Sequence, residues 1–108
     1  MHEAIPPGTL DMLVLQTLRR LGELHGFEIA EAIERTSADV LRVEEGSLYP
    51  ALQRMLVQGW IVGEWGKTKE NRRARYYRLT PAGRKQLERE LESYRRVSGA
   101  IGRILQPA

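Results

Sequence analysis

The densest group of chemically capable side chains in this sequence is a run of cations after its midpoint. Five lysines and arginines fall within nine residues and are opposed there only by Glu70: Lys67, Lys69, Arg72, Arg73 and Arg75. Residues 1–66 carry five lysines and arginines against ten acids, whereas residues 67–108 carry twelve against four. Such a concentration of positive charge attracts a polyanion. A solvated loop and helix face is the alternative that charge alone leaves open.

A second group of polar side chains shares one face of a predicted helix. We expect Ser47 to cap this helix and Gly59 to end it, which makes Pro50 the third helical residue, where its missing amide hydrogen costs nothing. At 100° per residue the leucines and methionine fall on one face and leave the other free. The free face holds Ser47, Pro50, Ala51, Gln53, Arg54 and Gln58. Arg54 is a candidate for reading a base, and Tyr49, at the edge, is either a packing or a backbone-contacting residue.

Catalytic arrangements are missing from the sequence. It has no cysteine, and its only histidines are His2 and His25. We find no nucleophile–base–acid series, metal-ligand cluster or glycine-rich phosphate loop. We therefore expect a protein that is not an enzyme and that uses no metal or cofactor. His25 is interpreted as a hydrogen-bonding residue at a helix start.

The remaining pattern predicts a mainly α fold with a small β-hairpin. Helices are expected at residues 10–21, capped by Thr9, and at residues 26–35, with a short strand at 41–43. Two strands at 60–65 and 74–79 enclose a polar loop, and Tyr77, in phase with Leu79, is expected to face the core while Tyr76 reaches phosphate. Thr80 and Pro81 start a last helix that runs to Leu105. This order is that of a winged helix-turn-helix domain, residues 1–80, followed by a C-terminal dimerisation helix, residues 81–108.

The last helix has an apolar seam that predicts a homodimer. Positions spaced four and three apart carry apolar side chains with one break at Ser98. They are Leu87, Leu91, Tyr94, Ile101 and Leu105. Met12 and Leu15 fall outside the core-facing stripe of the first helix, so we assign them to the partner subunit as well.

Four blocks of the sequence resemble the PadR family of bacterial regulators. They are GTLDMLVLQTL, LHGFEIAEAIE, VEEGSLYPALQRMLVQGWI and NRRARYYRLTPAGRKQL. The resemblance implies a dimeric repressor that binds double-stranded DNA at an inverted repeat through Ser47, Tyr49, Pro50 and Arg54 of the recognition helix and through Lys67, Lys69, Arg72 and Arg73 of the wing. It also implies a small aromatic inducer at Tyr94, although packing of Tyr94 in the seam is the alternative. Phe27 and Trp60 depart from the family, which often has Tyr and Leu there.

A hypothesis from another functional class is a winged-helix protein-interaction module that has lost DNA binding. The acidic first half of the chain is compatible with it, whereas the cationic wing is not needed for it. No stretch approaches the roughly 20 apolar residues of a membrane span, and the first seven residues lack the pattern of a signal peptide. We therefore expect a cytoplasmic protein without membrane contact.

Overall fold

Four helices and five short strands make up residues 2–107, the part of the chain that the structure, a computed structural model, describes. In chain order the elements are β1 (Glu3–Ala4), α1 (Leu10–Leu21), β2 (Leu24–His25), α2 (Gly26–Thr36), β3 (Leu41–Arg42), α3 (Glu45–Gln58), β4 (Ile61–Lys67), β5 (Arg73–Leu79) and α4 (Pro81–Leu105). This is the expected mainly α fold with a small hairpin and a long C-terminal helix.

Two helix starts follow the expected capping chemistry and one does not. The His25 ring accepts a hydrogen bond from the Glu28 amide while the Glu28 carboxylate accepts one from the His25 amide, which forms a capping box at α2. Thr80 Oγ1 accepts a bond of 3.0 Å from the Gly83 amide at α4. Thr9 precedes α1 but makes no such bond, because its hydroxyl donates to the carbonyl of Pro6.

Helix α3 begins three residues earlier than expected, so the assignment of Ser47 as its N-cap is wrong. The cap is Glu44, whose extended backbone presents its carbonyl to the amides of Ser47 and Leu48. Pro50 is then the sixth helical residue, and its ring leaves the carbonyl of Gly46 without a helical donor. Gly46 is exposed, and water can satisfy that carbonyl.

The hairpin is longer than predicted and belongs to a three-stranded sheet. β4 and β5 pair from Ile61 opposite Leu79 to Lys67 opposite Arg73, so the turn spans only residues 68–72. β2 adds to the far edge of β5, with His25 opposite Tyr76. A second sheet pairs β1 with β3 in parallel. Neither β1 nor β2 was predicted, because each has two residues and forms only through pairing with a distant strand.

The core lies where α1, α2, α3, the hairpin and the first turns of α4 meet. Its fully buried side chains include Val14, Leu15, Ile29, Leu48, Leu52, Met55, Ile61 and Leu87. Tyr77 is buried too, as its strand phase predicted. Because Leu87 is buried, the first turns of α4 are part of the core, and only the later turns of this helix extend away from it. The division of the chain at residue 80 is untested and stays a prediction.

Three residues assigned to the dimer interface are interior residues of a single chain, which corrects that expectation. Met12 is 6% exposed, and Leu15 and Leu87 are 0% exposed. A buried side chain has almost no surface left to lose on association. The error arose because α1 is contacted by α2, α3, the hairpin and α4 together, so it buries more than one stripe.

Candidate nucleic-acid interface

The outer face of α3 carries the exposed polar side chains that the sequence indicated. Ser47, Pro50, Gln53 and Arg54 are exposed, while Leu48, Leu52 and Met55 on the opposite face pack into the core. Ala51, which the helical projection put on the free face, is buried. α3 thus presents a narrower free face than expected.

A groove between α3 and the hairpin brings recognition-helix and wing residues together. It has a volume of about 570 Å³. Tyr49 and Gln53 line its α3 side, and Arg72 and Arg73 line its hairpin side. Residues about 20 positions apart in sequence therefore share one surface, on which the hairpin side carries positive charge.

Two aromatic residues border this groove near the start of α2. Tyr49 is half exposed, and its ring packs on Gly26, where an added Cβ would lie 3.1 Å from the Tyr49 hydroxyl oxygen. Tyr49 therefore packs with one side of its ring while the other side stays exposed, and its contact with the DNA backbone stays a prediction. Phe27, which stands where the family often has Tyr, is 67% exposed. Its ring belongs to the groove surface rather than to the core.

Arg54 does not stand free on the recognition helix. Its Nη2 atom donates to Oδ1 of Asp11 in the first turn of α1 over 2.7 Å. The Arg54 side chain is 60% exposed and that of Asp11 is 21% exposed. The pair uses one of the five guanidinium N–H donors, so the others can reach a base or a phosphate. Sequence reasoning missed this partner, which lies 43 residues away.

The cations of the hairpin have no acidic partner within 4 Å in the portion of the chain between His2 and Pro107. This applies to Lys67, Lys69, Arg72, Arg73 and Arg75. By contrast, Arg78 near the base of the hairpin is held by both Glu23 and Glu64. The turn is ordered by its own bonds, including one of 2.8 Å from the Thr68 amide to the Arg72 carbonyl. The tip therefore presents uncompensated positive charge on a defined turn.

A second groove lies on the other side of the hairpin and has mixed charge. Lys67, Lys69 and Tyr76 line it together with the acids Glu28 and Glu31 of α2. The Tyr76 hydroxyl donates to the carbonyl of Lys67 over 3.1 Å, and the His25 ring meets the Tyr76 ring edge-on. In the unbound chain the Tyr76 hydroxyl therefore braces the hairpin. Its contact with a phosphate stays a prediction.

Tyr77 forms the floor between the strands and α3. Burial raises the pKa of its hydroxyl, and the nearby Arg75 guanidinium opposes part of that shift. Tyr77 is consequently neutral at physiological pH. Tyr77 therefore adds no charge to the groove, whose arginines are positive.

The part of α4 beyond Leu91 projects from the body and is almost entirely exposed. Its apolar side chains lie at spacings of three, four and three residues: Tyr94, Val97, Ile101 and Ile104. In this seam Val97 stands between Tyr94 and Ile101, where the expected seam had the polar Ser98. Leu105 lies beside the seam. Ile104 is 81% exposed. The expected positions Tyr94, Ile101 and Leu105 are exposed, while Leu91 packs against the core.

A comparison with protein-family models matches residues 14–89 to the PadR-like family of transcriptional regulators. This range begins within α1, includes every element from β2 to β5 and ends within α4. The chain belongs to the PadR-like family. The members of this family are transcriptional regulators and not enzymes.

Several relatives and solved structures are similar to this PadR-like chain. An uncharacterised 37.1 kDa protein of a Streptomyces fradiae transposon is 43% identical over 90 residues, which are 83% of this chain and 24% of that protein. A transcriptional regulator of Mycobacterium tuberculosis is 39% identical over 62 residues, which are 57% of this chain and 54% of that one. The chain thus spans only a quarter to about half of these two proteins.

Among solved structures, a transcriptional regulator from Clostridium thermocellum superposes with a TM-score of 0.83 at 27% identity, over 92% of this chain and 95% of that one. Bacillus subtilis PadR in complex with operator DNA superposes with a TM-score of 0.67 at 24% identity, over 77% of this chain and 47% of that one. The latter shows that the winged-helix fold is shared. No helix within residues 2–107 has the length and apolarity to cross a membrane.

Proposed function

We propose that this PadR-like chain is a sequence-specific DNA-binding regulator that acts as a dimeric repressor on an inverted-repeat operator in the cytoplasm. The groove in which the exposed face of α3 lies opposite the unpaired hairpin arginines carries this proposal. The guanidinium groups that line its hairpin side suit phosphate. Bacillus subtilis PadR, which shares the fold, was solved in complex with operator DNA, and this supports DNA as the partner.

Helix α3 and the hairpin divide the work between position and sequence. Phosphate contacts fix a protein on the duplex without reading bases, and base-edge contacts supply specificity. The hairpin cations suit the first task, with Ser47 at the start of α3 as a further phosphate candidate. Arg54, Gln53 and Pro50, on the exposed face of α3, suit the second.

Selection of bound duplexes from a random DNA pool tests the proposal directly and yields the operator. On that operator, Arg54→Ala should cost about 1–3 kcal/mol per half-site and should cost little on scrambled DNA, because a base contact exists only on the correct sequence. Asp11→Ala is the matched variant, since it frees Arg54 without removing it. It should strengthen binding to scrambled DNA, where an unpaired Arg54 can reach phosphate. Equal losses from Arg54→Ala on both duplexes would contradict base reading.

The exposed seam of α4 supports a homodimer. Tyr94, Val97, Ile101 and Ile104 lie on one side of a helix segment that no element within residues 2–107 covers. Two such segments packed together would bury them, as in a coiled coil. The resulting two-fold axis requires half-sites about 10 bp apart, or a multiple of that spacing.

The double variant Ile101→Asp/Ile104→Asp should sediment as a monomer, because each aspartate would enter the apolar seam without a partner. Arg95→Ser/Arg103→Ser changes the net charge by the same amount on the opposite side of α4 and should remain a dimer. Sedimentation velocity at equal protomer concentrations distinguishes them. A dimer of the aspartate variant would contradict the seam. Truncation before Leu87 is unsuitable as a test, since it removes a core residue.

Tyr94 has two candidate roles, packing in the seam or lining a pocket for a small aromatic inducer between the protomers. Its side chain is half exposed and lies at the end of the seam nearest the body. We propose that planar aromatic compounds release bound DNA through this residue. Titration of such compounds into the protein–DNA complex should show release that Tyr94→Ala abolishes and Tyr94→Phe retains. An unchanged response in Tyr94→Ala would leave Tyr94 as a packing residue.

A further inference from the structure

The hairpin contains an exposed tryptophan that holds two arginines. Trp65 of β4 is 60% exposed. The guanidinium carbon of Arg73 lies 4.2 Å from the centroid of its ring, and that of Arg75 lies 5.8 Å away. Trp65 pairs directly with Arg75 across the strands, so all three side chains leave the same face of the hairpin. An indole ring attracts cations through its electron-rich face, and this attraction orders both arginines.

Arg75 is further positioned by the absence of a side chain at Gly63. The Arg75 Nε atom lies 2.6 Å from where a Cβ at position 63 would be, so any larger residue would displace it. This Nε atom is buried and has no acceptor within residues 2–107. The side chain is therefore held in place by shape rather than by a carboxylate. Its charge is left uncompensated, as is that of Arg73.

We propose that Trp65, Arg73 and Arg75 form a clamp for one phosphodiester group of the DNA backbone, a proposal that rests on the proposed function. Arg73 and Arg75 bind the phosphate, and Trp65 and Gly63 are positioning residues. A planar guanidinium offers two parallel donors that match phosphate oxygens. The clamp lines the same groove as Tyr49 and Gln53 of α3, so it holds the backbone next to the bases that α3 reaches.

The ligand is a phosphate rather than a carboxylate of the chain, because the hairpin lacks an acid that could occupy the clamp. The only acids of the hairpin are Glu64 and Glu70. Glu64 is bound to Arg78, and Glu70 lines the groove on the other side of the hairpin. Two like charges held against one ring repel each other, and a bound anion between them removes that repulsion.

The deciding variants alter the geometry of the clamp without altering its charge. Gly63→Ala keeps every cation but displaces Arg75. Gly66→Ala is its matched control in the same strand, because a Cβ there meets the Tyr76 ring at an ordinary 3.4 Å on the opposite face. Trp65→Ala removes the platform, and Trp65→Phe restores an aromatic face. Arg75→Ala removes the charge itself.

Binding is measured by fluorescence anisotropy on a labelled random-sequence duplex over a series of salt concentrations, with thermal unfolding of each variant as a check on folding. Arg75→Ala and Gly63→Ala should each weaken binding about tenfold at 0.1 M salt, and Arg75→Ala should reduce the log–log salt slope by about one unit per protomer. Trp65→Ala should weaken binding about fivefold, and Trp65→Phe should recover most of that loss because it restores an aromatic face. Gly66→Ala should bind as the wild type does.

Two contrary results have different meanings. If the wild type binds the duplex but Arg75→Ala and Gly63→Ala bind equally well, the clamp is wrong and the proposed function stands. If the wild type binds no duplex at any salt concentration, both the proposed function and the clamp are wrong. A loss in Trp65→Ala that Trp65→Phe does not restore would contradict the platform role of Trp65.

Discussion

Replacing Lys67, Lys69 and Arg72 with alanine should weaken binding to operator and scrambled duplexes alike, by about a hundredfold at 0.1 M salt. These cations lie at or next to the turn of the hairpin and have no acidic partner within residues 2–107. Each phosphate contact releases condensed counterions from DNA, so the log–log salt slope should become shallower by about two to six units for a dimer. No comparable loss of stability is expected, because all three side chains are exposed.

A control variant separates the position of these charges from their number. Arg95, Arg96 and Arg103 are three exposed cations of the projecting part of α4. Their joint replacement with alanine changes the net charge by the same amount, and it should alter affinity less than about threefold because unbound surface charge acts only through a screened field. If the hairpin variant instead binds like this control, DNA binding loses its main support. The protein-interaction module then becomes the better hypothesis.

Among the glycine-to-alanine substitutions that we consider, Gly83→Ala should lower the free energy of unfolding the most. Gly83 lies in the first turn of α4 and is buried. An added Cβ would overlap the carbonyl oxygen of Trp60 and come within 2.7 Å of Leu79 Cδ1. The Trp60 carbonyl cannot retreat freely, since it accepts a hydrogen bond of 3.1 Å from the Thr80 amide. We expect a loss of about 3 kcal/mol in the free energy of unfolding, at the upper end for overpacking.

Gly99→Ala is the matched control in the same helix. A Cβ at position 99 meets only Arg103 Nη1, at 3.7 Å, and it points away from the apolar seam. Because alanine has the higher helix propensity, this variant should gain about 0.5–1 kcal/mol. Urea unfolding at one protomer concentration measures both, since the proposed dimer would make stability depend on concentration. A Gly83→Ala protein as stable as wild type would show that α4 docks differently on Trp60.

Local pattern was sufficient for the elements that carry their own signals. The α1 range, the capping of α2 by His25 and the start of α4 at Thr80 and Pro81 follow from side chains within a few residues of each helix end. Strand phase placed Tyr77 in the core for the same reason, since alternation depends only on neighbours in the strand. The cationic hairpin and the recognition helix were likewise readable from composition and spacing.

The sequence could not show contacts between residues that lie far apart in the chain. Asp11 holds Arg54 from another helix, and β2 exists only because β5 pairs with it. Met12, Leu15 and Leu87 are buried within the chain and not at the expected interface, because several elements pack against α1.

Trp65 and Gly63 gained a role only when the hairpin register set them beside Arg75. Periodicity and capping are properties of a few neighbouring residues, so the sequence by itself determined the helices, the hairpin and its positive charge. Burial and strand pairing depend on contacts between elements that meet only in the folded chain. The tertiary structure therefore decided which of the charged side chains are free to bind and which apolar ones remain exposed.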